Sequence, residues 1–66
     1  MSYGPMVYVV RGDDGVYRDR YGRVEIFRST RSGAWWLTMD GGEASQHVTL
    51  TDARQAAWRK IASDAA

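Results

Sequence analysis

The sequence predicts an α+β fold: an antiparallel sheet of about four strands, with a range of three to five, carrying one C-terminal helix on one face. Three observations predict it. Short runs of β-forming residues, separated by turns that contain Gly and Asp, fill positions 6–50. The segment 51–66 is rich in alanine and opens on a threonine and an aspartate, which suit a helix N-terminus. The chain has 66 residues, the size of a single domain.

The first half of the chain predicts two or three strands. Residues 1–5 carry little pattern, whereas residues 6–11 are β-formers with apolar side chains on both faces. Residues 12–15 predict a hairpin turn because Asp-Gly is a strong turn signal. Residues 16–21 mix β-formers with charges, so they form either an edge strand or a structured loop. Residues 23–28 alternate between apolar and charged residues and predict a strand.

The second half of the chain predicts two strands and the helix. Residues 29–33 form a turn, and residues 34–39 form a strand that contains two adjacent tryptophans. Residues 40–42, Asp-Gly-Gly, predict a hairpin turn, and residues 44–50 a further strand. The helix is expected over about residues 52–64.

The predicted helix has an alanine-rich stripe that would pack on the sheet. Thr51 is the expected N-cap, and Trp58 would close one edge of the core. Arg54 falls within the stripe, so its stem is expected to extend to the rim. The stripe consists of Ala53, Ala57, Ile61 and Ala65.

Turn parity predicts which residues of the last two strands share a face. A two-residue turn at 40–41 or 41–42 pairs odd-numbered residues with even-numbered ones. The apolar group, and hence the core face, is then Trp35, Leu37, Met39, Ala44, Val48 and Leu50. The opposite, outer group is Trp36, Thr38, Ser45, His47 and Thr49.

The hairpin that precedes the tryptophans admits two registers. A loop of four residues places Val24 and Ile26 in the core and leaves Arg23, Glu25 and Phe27 outside. A loop of five residues reverses that strand, because a shift of one residue moves every side chain to the other face. The shorter loop is preferred since it separates apolar from charged side chains.

The outer face is therefore the predicted binding surface. Exposed aromatic residues on a small protein usually mark an interaction site, unless the N-terminal residues fold over them. The preferred function is a non-enzymatic module that acts by protein–protein contact and self-associates as a homo-oligomer. The predicted surface comprises Trp36, Phe27, His47, Arg23, Thr38 and Thr49.

Composition constrains the class of partner. Nine basic residues oppose eight acidic ones, so the formal charge of +1 provides no general attraction for polyanions. Arginine supplies eight of the nine basic residues, which is typical of a GC-rich genome such as that of an actinobacterium or its phage. A phage accessory protein acting on a host component fits this composition. No transmembrane or signal-peptide pattern is present, so we expect a cytoplasmic protein without a membrane partner.

The chemistry-bearing residues do not predict catalysis. His47 is the single histidine, and no serine or carboxylate stands in a recognisable relation to it in the sequence. Asp13 and Asp14 lie in a predicted turn, where aspartate commonly accepts backbone hydrogen bonds. The chain has no cysteine. We therefore predict no enzymatic activity, cofactor, metal site or small-molecule substrate.

One segment and one resemblance indicate an alternative function. Residues 28–33, Arg-Ser-Thr-Arg-Ser-Gly, read either as a phosphate-contacting loop or as an ordinary solvated turn. The order of strands and helix, the tryptophan strand and the helix opening Thr-Asp-Ala-Arg-Gln-Ala-Ala together resemble the three-stranded-sheet-plus-helix DNA-binding domains of phage integrase arms and plant ethylene-response factors. The resemblance covers residues 15–62. It implies DNA binding through the sheet face and the Arg28–Ser32 loop, with the candidate contacts Arg23, Arg28, Arg31 and Trp36.

The sheet face departs from that family pattern in its charge. In those families arginine and lysine dominate the face, whereas acidic and hydroxyl side chains interrupt it in this chain. These are Glu25, Thr38, Ser45 and Thr49. For this reason protein contact is the preferred function and DNA binding the alternative.

Overall fold

The computed structural model describes the backbone of residues 6–65 and the side chains of residues 6–63. Within that range it contains five strands and one helix, packed as an open antiparallel sheet with the helix on one face, which confirms the predicted α+β fold. The elements are β1 (Val10–Arg11), β2 (Tyr17–Arg18), β3 (Val24–Arg28), β4 (Trp35–Met39), β5 (Ser45–His47) and α1 (Leu50–Ala65). The predictions for residues 1–5 and for the side chain of Ala65 lie outside the described part.

The strands follow one another in the order β1-β2-β3-β4-β5, each antiparallel to the next. Strands β3 and β4 form the centre and are five residues long, whereas the flanking strands have two or three residues. Residues 16–21, left open by the sequence, contain the short strand β2 followed by a turn. The sheet is therefore widest at its middle and ends in short edges.

Residues 6–9 do not form the predicted strand. They run beside the helix instead, where the amide of Val7 donates to the carbonyl oxygen of Arg54 at 3.3 Å. The Nε of Arg54 donates in return to the Val7 carbonyl oxygen at 2.7 Å. Val7 and Val9 pack against the core. A small core gains more from these two side chains at the edge of the helix than from a longer edge strand.

The β3–β4 hairpin has the predicted four-residue loop. The amide of Ser29 donates to the carbonyl oxygen of Ala34 at 2.8 Å, which closes the loop over residues 30–33. Consequently Val24 and Ile26 face the helix and are fully buried. Gly33 has a φ of 74°, a left-handed conformation that favours glycine.

The β4–β5 hairpin has a different register from the predicted one. Its turn forms where expected, with the Gly42 amide donating to the Met39 carbonyl oxygen at 2.8 Å and positive φ at Asp40 and Gly41. That turn alone would pair Met39 with Gly42. Further along, however, Leu37 pairs with Ser45, so the returning chain holds one residue more than the ladder needs. Such an extra residue is the property of a β-bulge.

This single residue reverses the faces of β5. The prediction that Ala44 and Val48 join the core is wrong: both are exposed, Val48 to 82%. The prediction that Ser45 and His47 lie on the outer face is also wrong, because they pair with Leu37 and Trp35 on the helix side. The physical reason is the period of two along a strand, which turns every side chain over when the register shifts by one.

The helix begins at Leu50, two residues before the start at residue 52 that a Thr51 cap predicts. The hydroxyl of Thr49, and not that of Thr51, accepts the amide hydrogen of Asp52 at 3.0 Å and caps the helix. Thr49 therefore belongs to the helix start and not to the predicted outer surface. Because β5 ends at His47, the connection to the helix is only two residues long.

Five apolar side chains form the buried core between sheet and helix. The predicted stripe is confirmed at Ala53 and Ala57, which are fully buried, while Ile61 is partly buried. The small alanine side chains let the helix approach the sheet closely. Trp58, predicted to close one edge of the core, is 41% exposed. Among the described residues, the core is Val24, Ile26, Leu37, Ala53 and Ala57.

Candidate functional site

The outer face, defined as the sheet surface opposite α1, carries a continuous aromatic and apolar row. Phe27 of β3 lies directly opposite Trp36 of β4, and Trp36 lies opposite Gln46 of β5. Val16 extends the row, because it is one residue beyond the pair that joins Tyr17 to Ile26. Phe27 is 39% exposed, and Trp36 is half-buried although the helix lies on the other face. We call these side chains, Val16, Phe27 and Trp36, the aromatic row.

A second row on the outer face is polar, and its charges are paired within the chain. It runs from Val10 through Arg18 and Glu25 to Thr38. The Nε of Arg18 donates to Glu25 at 3.0 Å, and its Nη2 donates to Asp14 at 2.9 Å. The single guanidinium thus holds two carboxylates. Val10 is 57% exposed and continues the apolar surface to the edge of the sheet.

A further ion pair lies at the end of the outer face beside the β4–β5 turn. Arg23 binds Asp40 through two parallel hydrogen bonds, Nε to Oδ1 at 3.1 Å and Nη2 to Oδ2 at 3.0 Å. Two hydrogen bonds fix the guanidinium in the carboxylate plane more firmly than one could. Arg23, a candidate DNA contact, already has a carboxylate partner here.

These pairs shift the pKa values of the aspartates. The hydrogen bond from Arg18, followed by that from the Val16 amide, lowers the pKa of Asp14 to about 2. The hydrogen bond from Arg23 lowers the pKa of Asp40 in the same way. Both carboxylates are therefore ionised at neutral pH. Together with Glu25 they exceed Arg18 and Arg23 by one negative charge on the outer face.

The structure brings together four of the six predicted surface residues. Trp36, Phe27, Thr38 and Arg23 lie on the outer face. His47 and Thr49 do not, for the reasons of register and capping given above. The second row also contains Arg18, which the sequence analysis did not single out.

His47 has a serine partner that the sequence reading missed. Its Nε2 lies 2.8 Å from the hydroxyl of Ser45, two residues earlier on the same face of the edge strand β5. A period of two brings side chains i and i+2 together, so the signal was present once the segment was read as a strand. Within the described residues, neither a carboxylate nor a backbone carbonyl holds the other imidazole nitrogen. A nucleophile and base without an orienting group make a poor catalytic pair.

The β3–β4 loop satisfies three of the four backbone donors of residues 30–33. The Ser29 hydroxyl accepts the amides of Arg31 and Ser32, and the Ser29 carbonyl oxygen accepts that of Gly33. The Ser32 hydroxyl accepts the amide of Ala34. A phosphate-binding loop presents such amides to its ligand, whereas this loop consumes them. What it offers outward are side chains, above all the two arginines of the predicted loop.

A surface cleft of about 440 Å³ opens at the end of the sheet opposite the Arg23–Asp40 pair, which we call the upper end. It lies between the β1–β2 turn and the β3–β4 loop, and we call it the upper notch. Its lining combines two arginines, three aromatic rings and one aspartate with smaller groups. The lining residues are Arg11, Asp14, Gly15, Val16, Tyr17, Phe27, Arg28, Thr30 and Trp35.

Comparisons with known proteins add no relative. No protein-family model matches the chain, and no curated protein or solved structure matches it significantly. The resemblance to sheet-plus-helix DNA-binding domains stays a prediction. Among the described residues, no helix combines the length and apolar character needed to cross a membrane, and no group of three metal-ligating side chains comes together.

Proposed function

We propose that this protein is a non-enzymatic binding module that acts by protein–protein contact through its outer face, with a second copy of the chain as its partner. The observation that carries the proposal is the aromatic row. Phe27 and Trp36 are direct cross-strand neighbours on a face that the helix leaves open. Large aromatic side chains dominate the energetics of protein interfaces.

The charge arrangement of the outer face favours a copy of the same surface as the partner. A surface with many unpaired charges of one sign repels its own copy, whereas Arg18 and Arg23 are paired with carboxylates of the same chain and leave only one excess negative charge. In a two-fold symmetric pair the same patch meets itself. The aromatic row can then be buried with little repulsion between the copies.

The size of the outer face predicts a weak dimer. Strand spacing and rise give about 270 Å² for the face of the 17 strand residues, roughly a third of what each partner of a standard interface buries. The edge strands β1 and β5 have two and three residues, which disfavours edge-to-edge pairing. Association is therefore expected through the face, and at high protein concentration.

Sedimentation velocity over a wide concentration series, with two matched variants, tests the proposal. Phe27→Glu places a carboxylate in the aromatic row, and Trp58→Glu places one at an equally exposed aromatic on the helix, the exposed fractions being 39% and 41%. We expect the wild type and Trp58→Glu to dimerise as concentration rises and Phe27→Glu to remain monomeric. Circular dichroism checks that both variants keep the fold.

Two results would contradict the proposal. A wild type that stays monomeric at the highest concentration would exclude self-association. A dimer that Trp58→Glu abolishes and Phe27→Glu leaves intact would move the interface to the helix.

DNA binding through the sheet face, the alternative function, draws less support from the same contacts. Arg23 is engaged by Asp40, and the amides of the Arg28–Ser32 loop are engaged within the loop. A role in the cytoplasm as a phage accessory protein acting on a host component is supported by composition alone. Affinity capture from an actinobacterial lysate, with Phe27→Glu as the control bait, tests that role.

A further inference from the structure

We propose that the upper notch binds a nucleotide unit, free or within a single strand, through its phosphate and its base. The notch shares Val16 and Phe27 with the aromatic row, but its two arginines, Tyr17 and Trp35 lie outside that row. The proposal therefore goes beyond protein contact. It concerns a part of the molecule where the charges are not neutralised.

The notch exists because the β2–β3 ladder is short. The two strands pair only at Tyr17 with Ile26 and at Arg18 with Glu25. Beyond Tyr17 and Ile26, no ladder pair joins the β1–β2 hairpin to the β3–β4 hairpin. The β1–β2 turn and the β3–β4 loop then form the two walls of the opening. Its volume of about 440 Å³ falls in the range of small-molecule sites, roughly 300–1,000 Å³.

Two guanidinium groups of the notch lack a carboxylate partner. Neither Arg11 nor Arg28 forms an ion pair with any described residue. The Nε of Arg28 lies 3.4 Å from the Gly33 carbonyl oxygen, which holds the side chain beside the loop and leaves its terminal nitrogens available. Arginine binds phosphate through two parallel hydrogen bonds more readily than any other side chain.

The one carboxylate of the notch is already occupied. Asp14 accepts two hydrogen bonds from Arg18 and one from the Val16 amide. Its charge is thus balanced by a guanidinium outside the notch lining, and it does not compete for Arg11 or Arg28. The notch has a net positive charge, although the whole chain has a formal charge of only +1.

Aromatic rings beside the guanidinium groups distinguish a nucleotide from a simple anion. Tyr17 and Trp35 pack edge to face with ring centroids 5.9 Å apart, and Phe27 borders the opening with its ring partly exposed. Stacking of a base on an aromatic ring is favourable and tolerates any base. The notch can therefore bind a phosphate and stack a base at the same time. An acidic peptide would bind the arginines but has no base to stack.

The loop chemistry sets the expected character of binding. Because the amides of Arg31, Ser32 and Gly33 are satisfied within the loop, the charged phosphate contacts of the notch come from its two guanidinium groups. Two such contacts to a single strand predict that log K falls against log salt concentration with a slope of about −1.4. Binding should therefore be weak, salt-dependent and tolerant of sequence.

Fluorescence anisotropy in low and moderate salt, with a labelled oligothymidylate of about eight nucleotides, tests the proposal. The test variant is Arg11→Gln/Arg28→Gln, and the matched control is Arg59→Gln/Lys60→Gln, which removes the same charge from exposed helix positions. We expect at least a tenfold loss of affinity in the first and less than a twofold change in the second. Phe27→Leu should weaken binding several-fold with the charge unchanged.

Competition separates the sources of the ligand and can overturn the proposal. Unlabelled thymidine monophosphate that competes as well as the strand identifies a free nucleotide, and competition by the strand alone identifies single-stranded nucleic acid; both support the proposal. Equal competition by polyglutamate, no binding at low salt, or equal losses in both double variants would overturn it. Circular dichroism confirms that each variant is folded.

Discussion

The outer face and the upper notch share strands and the side chains of Val16 and Phe27, yet they differ in how their arginines are satisfied. On the outer face, Arg18 and Arg23 are bound to carboxylates of the same chain. In the notch, Arg11 and Arg28 have no such partner among the described residues. A nearly neutral chain can therefore contain both a contact surface with paired arginines and a cationic site, because net charge does not report how charges are paired.

The largest expected effect separates the two sides of strand β3. Ile26→Ala should lower the free energy of unfolding by about 3 kcal/mol, since it leaves a cavity in a fully buried position. Its neighbour Phe27→Ala should cost less than about 1 kcal/mol, because it removes only a partly exposed cross-strand contact with Trp36. Urea denaturation measures both.

Equal costs for these two variants would contradict the assignment of Phe27 to a functional surface. If Ile26→Ala is too unstable to measure, Ile26→Val provides the same comparison at a cost of about 1 kcal/mol.

The next prediction compares oligonucleotide binding after removal of either of two aspartate carboxylates, each bound to an arginine. Asp14→Asn and Asp40→Asn each remove one negative charge that faces an arginine, but Asp14 lines the notch and Asp40 lies on the outer face. We expect Asp14→Asn to strengthen oligonucleotide binding several-fold and Asp40→Asn to change it less than twofold. Fluorescence anisotropy at low salt measures both affinities.

Equal gains from both asparagine variants would show that binding follows overall charge and not the notch. That outcome would remove the contrast between the two regions.

The smallest effect is on stability in acid. The pKa of Asp14 is lowered in the folded state, from 3.8 to about 2, chiefly by Arg18. A lowered folded-state pKa stabilises the fold above the unfolded value and loses that contribution as pH falls from about 3.8 to about 2. Arg18→Gln should return the Asp14 titration toward 3.8 and flatten this part of the stability curve. Carboxyl chemical shifts measured by NMR report the titration.

An Asp14 midpoint that Arg18→Gln leaves near 2 would contradict the assigned cause. Asp40 serves as the internal control in the same spectra, because its pKa is lowered by Arg23 and should not move.

Local pattern in the sequence determined most of the fold. The alternation in β3, the Asp-Gly turn and the alanine stripe of the helix all depend on neighbours a few residues away, so the sheet, the helix and the inward side of β3 were predictable. The same holds for Trp36, Phe27 and Thr38 on the outer face. The helix cap shows the limit of local pattern. Thr49 and Thr51 both have a hydroxyl that can cap a helix, and the end of β5 decides that Thr49 is the cap.

Only the tertiary structure decided the register of β5 and the pairing of charges. One extra residue after a correctly predicted turn moved His47 to the helix side, because side-chain direction reverses with every residue of a strand. The Arg23–Asp40 pair joins residues 17 positions apart, and two further arginines were left unpaired at the notch. Residue types in the sequence determined which charges exist; strand register determined which of them meet.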